Sequence, residues 1–353
     1  MINDFVEYWA AARLFLGGGN PYSPEGLLKL QQSAGSTQTM PLVMWNPPWT
    51  LTFIWPIGLV GHEAGQFLWF LLHTLILLLG AQGLWRIYGG DAGKSRNAWL
   101  AVLTFAPAYF VLFLGQIGPV MLLGLIGFLF AIKKSRSSFT AAILLVLLKP
   151  HLLYLLWLVL VLWIVKERRW RLTFGLALSG VAAAALPLVF NPAIYFQYLQ
   201  LFSQGSIVRP LEWATPSLAN LLSEIFHLRS LWLSSLPMLA GAFWCLRYWR
   251  RYSDGWDWID RLPLILLVSV ATTSFLWTFD LVVLLPAVIQ GAVWLTEHPP
   301  SGRRQMILAG YLALNALLLA GKVFVRDDFW YFWAAPAFLA LYTILRVTIN
   351  RRN

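Results

Sequence analysis

The stretch AGQFLWFLLHTLILLLGAQGLW, residues 64–85, decides the fold class of this chain. It contains no charged side chain, and as an α-helix it would rise about 33 Å, enough to cross ~30 Å of hydrocarbon. Similar apolar runs recur to the end of the chain. The sequence therefore predicts an all-α polytopic membrane protein of about eleven transmembrane helices. The predicted spans are 64–85, 97–114, 117–132, 137–148, 151–165, 170–189, 229–248, 260–277, 280–296, 304–321 and 330–346.

The composition agrees with this class. Of 353 residues, 59% are hydrophobic and 12% are charged, whereas a soluble domain carries about 25% charged residues. The net charge of +11 comes from Lys and Arg in short groups between apolar runs, a pattern that reports topology. Membrane lipids are therefore expected partners, and a nucleic acid is not. The single cysteine, Cys245, excludes a disulfide framework and a thiolate metal site.

The basic groups orient the chain. Neighbouring groups are separated by two predicted spans, so the positive-inside rule places all of them in the cytoplasm. The groups begin at Arg86, Lys133, Lys166, Arg247, Arg303 and Arg346. The predicted extracytoplasmic segments are 1–62, the turn at Gln116, the turn at Lys149, 190–228 with helical pieces at 191–203 and 217–226, the turn at 277–280, and 322–329.

Residues 137–165 are too long for one span that keeps the flanking basic groups on the same side. We therefore predict a hairpin of two short helices whose outer turn is Lys149-Pro150-His151. Proline disfavours helix at the residue before it. The arms are short, so the turn is expected to lie recessed and lined by protein.

Residues 1–62 are predicted to form an extracytoplasmic loop before a helical bundle over 63–353. The apolar piece 49–60 is short, contains Pro56 and would invert the topology if it crossed. An interfacial helix fits it better.

The start of this loop is the richest patch of ionisable and aromatic residues. Phe5, Trp9, Ala12 and Leu16 recur at helical spacing, whereas Asp4, Glu7 and Tyr8 lie toward another side. This pattern predicts an amphipathic helix over 4–16. Asp4 at its start has two interpretations that the residues leave open. It is either an N-cap or a functional carboxylate.

The same residues resemble the Asp-Phe-x-x-Tyr-x-x-Ala-Ala-Arg…Asn-Pro-Tyr opening of the polytopic glycosyltransferases of family 87, in the GT-C superfamily. The positions that carry the resemblance are Asp4, Phe5, Tyr8, Ala11, Ala12, Arg13, Asn20, Pro21 and Tyr22. It implies a GT-C-like bundle that transfers a hexose, mannose by analogy, from a polyprenyl-phospho-sugar donor to a lipid or glycan acceptor. The site would face outward from a bacterial cytoplasmic membrane.

The resemblance also implies residue roles. Asp4 would be the general base, and one carboxylate is enough for an inverting single displacement. No metal and no other cofactor is implied. Related GT-C enzymes carry one helix before this loop. We therefore expect a mis-assigned start, a trimmed chain or a genuine absence of that helix, and we favour the first. The implied substrate contacts in the loop are Tyr8, Arg13, Asn20 and Tyr22.

Lys149 ends an apolar arm, where a lysine must either extend to the interface or meet an anion. The family has Lys-Pro at this turn, which favours a phosphate-binding role over an interfacial lysine. A fixed ammonium would stabilise the charge that develops on a leaving phosphate. His151 and the outer-side cation Arg209 are further candidates for phosphate binding.

Three other elements resemble family motifs, and each has a structural alternative. Asn46 precedes two prolines that also suit the end of a loop. Gln116 is either a turn-capping amide or a sugar contact. Trp277 and Asp280 resemble a late family motif, with Asp280 equally suited to a helix N-terminus. All four are candidate substrate-binding residues.

A transporter or flippase of lipid-linked saccharides is the main alternative function. Such a protein needs a hydrophilic path, often formed by broken helices in repeated halves. The predicted spans are almost uniformly apolar, with His73 and Asn315 as exceptions. The glycosyltransferase is therefore the favoured prediction. The adjacent acids Asp327 and Asp328 are too weak a signal for a metal site.

Overall fold

The computed structural model describes residues 3–134, 137–203, 213–298 and 301–350, which contain helices, turns and loops but no strand. The predicted all-α class is therefore confirmed for this part of the chain. Its 3₁₀ segments are Pro48–Thr50, Trp55–Leu59, Ala92–Lys94, Ser137–Leu148, Thr278–Leu284 and Asp328–Tyr331. Its α-helices are α1 Phe5–Leu16, α2 Pro24–Ser33, α3 Leu51–Ile54, α4 His62–Ile87, α5 Arg96–Leu103, α6 Ala106–Leu114, α7 Gly118–Lys134, α8 Tyr154–Lys166, α9 Trp170–Phe190, α10 Ile194–Leu201, α11 Leu218–Ile225, α12 Leu231–Tyr252, α13 Trp258–Thr272, α14 Leu285–Glu297, α15 Gly302–Phe324 and α16 Ala334–Asn350.

Within the described ranges, five helical runs are long and apolar enough to cross a membrane. They are α4, α9, α15 and the continuous runs Thr278–Glu297 and Asp328–Asn350. The predicted span 97–114 is not one straight helix, because α5 and α6 meet at an angle of 63°. Counted as one span, this pair brings the number to six. The chain is thus a multi-pass membrane protein by its helices, while the remaining predicted spans are shorter or less apolar helices.

The hairpin predicted over 137–165 has its break where Pro150 requires it. The 3₁₀ segment Ser137–Leu148 ends just before Lys149, and α8 begins at Tyr154. The helical pieces predicted within 190–228 correspond to α10 and α11.

The chain packs as two compact units. The first comprises the described residues of Met1–Leu75, Val111–Ile117 and Phe174–Trp213, and the second comprises those of Ile76–Phe110, Gly118–Thr173 and Ala214–Asn353. This division concerns packing. The predicted division at residue 62 concerns topology and stays a prediction.

In the first unit, α1 is a core helix. The spacing predicted an amphipathic helix with Tyr8 away from its apolar side, but Tyr8 is buried. The small residues of α1 allow close packing: a Cβ at Gly58 would lie 2.8 Å from the Ala12 carbonyl carbon. Arg13 Nη1 donates to Gly58 O at 2.8 Å, which ties the helix to the 3₁₀ segment Trp55–Leu59.

In the second unit, α13 lies at the core. Trp258 at its start meets Phe128 and Trp163 edge-on, with interplanar angles of 88° and 90°. The buried hydroxyl of Ser269 donates to Leu152 O at 3.1 Å. This bond holds the turn after Lys149 against α13.

Candidate active site

Asp4 belongs to a hydrogen-bonded cluster that Gln116 completes. Tyr8 Oη donates to Gln116 Oε1 at 2.8 Å, and Gln116 Nε2 donates to Asp4 Oδ2 at 2.9 Å. Asp4 and Tyr8 are neighbours on one face of the helical turn because they are four residues apart. We call Asp4, Tyr8 and Gln116 the Asp4 cluster, and it lies within the first unit.

Asp4 does not act as a side-chain cap for α1. Its carboxylate makes no capping hydrogen bond to the first turn. Asn3 serves the helix start instead, because its Oδ1 accepts from Phe5 N at 3.2 Å. Of the two interpretations that the sequence left open, this geometry disfavours capping.

Gly115 positions Gln116 by ending α6 in the left-handed conformation, with φ of +72°. The amide of Gly115 bonds back to Val111 O at 2.9 Å, an arrangement common at helix C-termini. A Cβ added at position 115 would lie 2.8 Å from Phe5 Cβ. The Gly115 carbonyl oxygen accepts a hydrogen bond from Trp69 Nε1 at 2.8 Å. Glycine tolerates the positive φ and has no Cβ that would meet Phe5. It therefore allows the turn to approach the start of α1 closely.

A cavity of about 530 Å³ opens beside Asp4, within the first unit. Its polar lining comes from the start of the chain and from one face of α4, and aromatic rings form much of the rest. The lining residues are Asn3, Asp4, Phe5, Glu63, Gln66, Phe67, Trp69, Phe70, His73, Leu112, Phe113, Leu114 and Gly115.

The sequence interpretation missed Glu63 and Gln66 as site residues. With Phe70 and His73 they recur along one face of α4, because their spacing of three and four residues matches the helical repeat. This stripe is the signal that was available. Gln66, Phe70 and His73 lie inside the run that was interpreted as a membrane span, and Glu63 lies just before that run.

The other candidates from the first loop do not line this cavity. Asn20 Oδ1 accepts from Tyr22 N at 2.9 Å, which stabilises a local turn. Tyr22 Oη donates to Asn46 O at 3.1 Å, and burial raises the pKa of Tyr22 well above its usual value. Arg13 reaches Gly58, as described above. These residues shape the loop that carries the Asp4 cluster.

In the second unit, Lys149 and Asp280 form a buried ion pair. Lys149 Nζ lies 2.7 Å from Asp280 Oδ1, and the two side chains are 13% and 1% exposed. The ammonium also lies 4.8 Å from the centre of the Phe279 ring. Asp280 Oδ2 accepts a hydrogen bond from Trp277 N at 3.0 Å. The same carboxylate therefore stabilises the start of the 3₁₀ segment Thr278–Leu284 and pairs with the Lys149 ammonium.

Aromatic rings and His151 surround this pair. Trp277 stacks on Phe279 with an interplanar angle of 19°. His151 meets Phe275 edge-on, and its carbonyl accepts from Thr273 Oγ1 at 3.1 Å. We call Lys149, His151, Trp277 and Asp280 the Lys149 cluster. Arg209, the remaining phosphate candidate, lies outside the described residues.

A second lysine–carboxylate pair supports the same 3₁₀ segment. Lys322 forms an ion pair with Asp328, and Asp328 Oδ2 accepts from Thr278 N at 3.2 Å. Asp327 instead accepts from Phe329 N at 3.0 Å and caps the turn that follows. Among the described residues, no group of acidic, histidine or cysteine side chains is arranged to hold a metal.

In comparisons with known proteins, the model of glycosyltransferase family 87 matches residues 45–274, well over half of the chain. No significant match was found among curated proteins or solved structures. The matched range begins after Asp4 and ends before Asp280, so it does not bear on the roles of those two residues. It contains Asn46, Gln116, Lys149, His151 and Arg209.

Proposed function

Because this chain belongs to glycosyltransferase family 87, we propose that it transfers a hexose, mannose in the first instance, from a polyprenyl-phosphate-linked donor. The acceptor in this proposal is a lipid or a glycan. Family membership together with the long apolar helices indicates a membrane glycosyltransferase. The proposal adds a GT-C-like bundle of about eleven spans in a bacterial cytoplasmic membrane, with residues 1–62 and the site facing outward.

Asp4 is the general base in this mechanism. The acceptor hydroxyl oxygen attacks the anomeric carbon, the bond from that carbon to the phosphate oxygen breaks, and Asp4 takes the hydroxyl proton. The polyprenyl phosphate leaves with the bonding electrons. The observation that carries this assignment is the Asp4 carboxylate at the cavity wall, where Gln116 orients it and Tyr8 orients Gln116. Such pre-orientation lowers the cost of reaching the reactive geometry.

Lys149 stabilises the leaving phosphate in this mechanism. Its ammonium is restrained by Asp280 and the Phe279 ring, so little reorganisation is needed as negative charge develops on the phosphate. His151 and Arg209 are proposed to assist, and Trp277 to contact the donor sugar. Asp280 then positions Lys149 as well as contacting substrate.

The experiment is an assay of purified protein in lipid nanodiscs with radiolabelled polyprenyl-phospho-mannose and -glucose, against a panel of glycolipid and glycan acceptors. We expect label transfer by the wild type and by Glu25→Gln, an exposed acid on α2. Asp4→Asn should lower kcat by at least ~10²-fold, because general-base catalysis contributes about that much, while donor binding persists. No transfer from any lipid-phosphate sugar, or wild-type turnover by Asp4→Asn, would refute the proposal.

The transporter alternative gains no specific support from the polar residues within the spans. Asn315 Oδ1 accepts from Ala106 N at 2.8 Å and its Nδ2 donates to Tyr311 O at 2.9 Å. Asn315 therefore stabilises the bend between α5 and α6. The other polar residue noted in the spans, His73, lines the cavity beside Asp4.

A further inference from the structure

His73 is a buried polar side chain that finds no hydrogen-bond partner within the described part of the chain. It is 1% exposed, and among the described residues neither of its ring nitrogens is hydrogen-bonded. Its ring packs on Trp69 with centroids 4.2 Å apart. A neutral imidazole offers one donor and one acceptor, and buried groups of this kind are rarely left unsatisfied. Since His73 lines the cavity beside Asp4, a ligand there is the natural partner.

The charges of the lining indicate what kind of ligand fits. Asp4 and Glu63 are both carboxylates, and the part of the lining that the structure describes contains no lysine or arginine. An anionic group such as the donor phosphate would be repelled. A purely apolar chain would leave His73 unsatisfied. A neutral, hydroxylated ligand meets both conditions, and the exposed aromatic rings of Phe67, Phe70 and Phe113 in the lining offer apolar surface to sugar rings.

The length of the cavity indicates the size of the ligand. Glu63 and His73 are ten residues apart on α4, about 15 Å along the helix axis at 1.5 Å per residue. Gln66 lies between them on the same face. The polar groups therefore extend over a distance longer than one pyranose ring. The cavity volume of about 530 Å³ is in the usual range for small-molecule sites.

We infer that this cavity is the acceptor site, an inference that rests on the proposed function. The cavity takes a neutral glycan of at least two sugar units, and His73 forms a hydrogen bond with a hydroxyl of that glycan. Gln66 and Glu63 are further hydroxyl partners along the same face. His73 is thus a specificity-determining residue that touches the acceptor.

Direct binding is measured by NMR on protein labelled with ¹⁵N-histidine in nanodiscs. The chain has five histidines, so the His73 signal is identified by its loss in His73→Asn. The probes are methyl α-mannoside and an α-linked mannose disaccharide. We expect the disaccharide to shift the His73 signal at concentrations at least ~10-fold lower than the monosaccharide. No shift of this signal at saturating disaccharide would overturn the inference.

Kinetics provide the second measurement. His73→Phe should raise the acceptor KM at least ~10-fold and leave the donor KM unchanged, because an unmatched hydroxyl is penalised strongly in a hydrogen-bonding site. His73→Gln should recover part of the loss, since an amide also donates and accepts. The matched control is His227→Asn, an exposed histidine in the other unit with φ of 50°, a conformation asparagine tolerates. Equal changes in both KM values, or no rescue by Gln, would overturn the role.

The outcomes separate this inference from the proposed function. Transfer from a polyprenyl donor with an unresponsive His73 would refute the acceptor site and leave the function standing. A His73 signal that shifts with the disaccharide, with no transfer from any lipid-phosphate donor, would refute the function and leave the glycan site standing.

Discussion

Gln116 Nε2 lies 2.9 Å from Asp4 Oδ2, although 112 positions of sequence separate the two residues. The amide is itself held by the Tyr8 hydroxyl, so a turn after α6 sets the orientation of a carboxylate at the start of α1. These hydrogen bonds fix the orientation of the Asp4 carboxylate before a substrate binds. The relation makes Gln116 a positioning residue.

Removing the Gln116 amide should therefore slow the chemical step. We expect Gln116→Leu to lower kcat roughly 10-fold or more with little change in donor KM, because misorientation acts on the transition state. Tyr8→Phe removes only the outer hydrogen bond and should have a smaller effect. Steady-state kinetics of both variants test this order, and the reverse order would contradict the positioning role.

The Lys149–Asp280 pair allows stability and function to be separated. Lys149→Met leaves a buried carboxylate without its cation, which should cost about 3–5 kcal/mol of unfolding free energy and raise the donor KM. Adding Asp280→Asn removes the uncompensated charge and keeps an acceptor for the Trp277 amide. The double variant should recover much of the stability, measured by thermal unfolding in nanodiscs, while its donor KM stays raised. A double variant with wild-type donor KM would assign Lys149 a purely structural role.

Gly115 offers a test of the close approach between the α6 turn and α1. Gly115→Ala should destabilise the protein by more than the ~1–2 kcal/mol expected for a left-handed alanine, because the new Cβ would also meet Phe5. Gly89→Ala is the matched control, with φ of +82° and open space around the position. We expect lower kcat only for Gly115→Ala, which displaces Gln116. Equal losses of stability in the two variants would contradict the crowding argument.

The predicted orientation is testable with single cysteines. Cys245 is buried, so Cys245→Ala provides a background without reactive thiols. Thr37→Cys should react with a membrane-impermeant maleimide in intact cells, while Glu167→Cys should react only after permeabilisation. Both positions are exposed in the structure. The opposite labelling pattern would invert the topology and remove the extracytoplasmic site.

Part of the candidate site was visible in local patterns. Asp4, Tyr8 and Gln116 were each singled out from motifs, and Lys149 and Asp280 from their positions next to apolar runs. The side chains that they contact were not predicted. The sequence fitted Gln116 to a turn cap about as well as to a substrate contact, and it fitted Asp280 equally to a helix cap and a substrate contact. Glu63 and Gln66 escaped notice because one polar face within an apolar run is a weak signal without knowledge of what packs against it.

Helical class, the break before Pro150 and the extent of α1 follow from hydropathy, proline geometry and residue spacing, which are properties of adjacent residues. The bend of 63° between α5 and α6, the burial of α1 on both faces and the two side-chain clusters follow from packing between segments far apart in the chain. The pattern of adjacent residues does not predict those contacts. They arise because buried polar groups must find partners and small residues permit close approach, and both conditions are met only once the chain has folded.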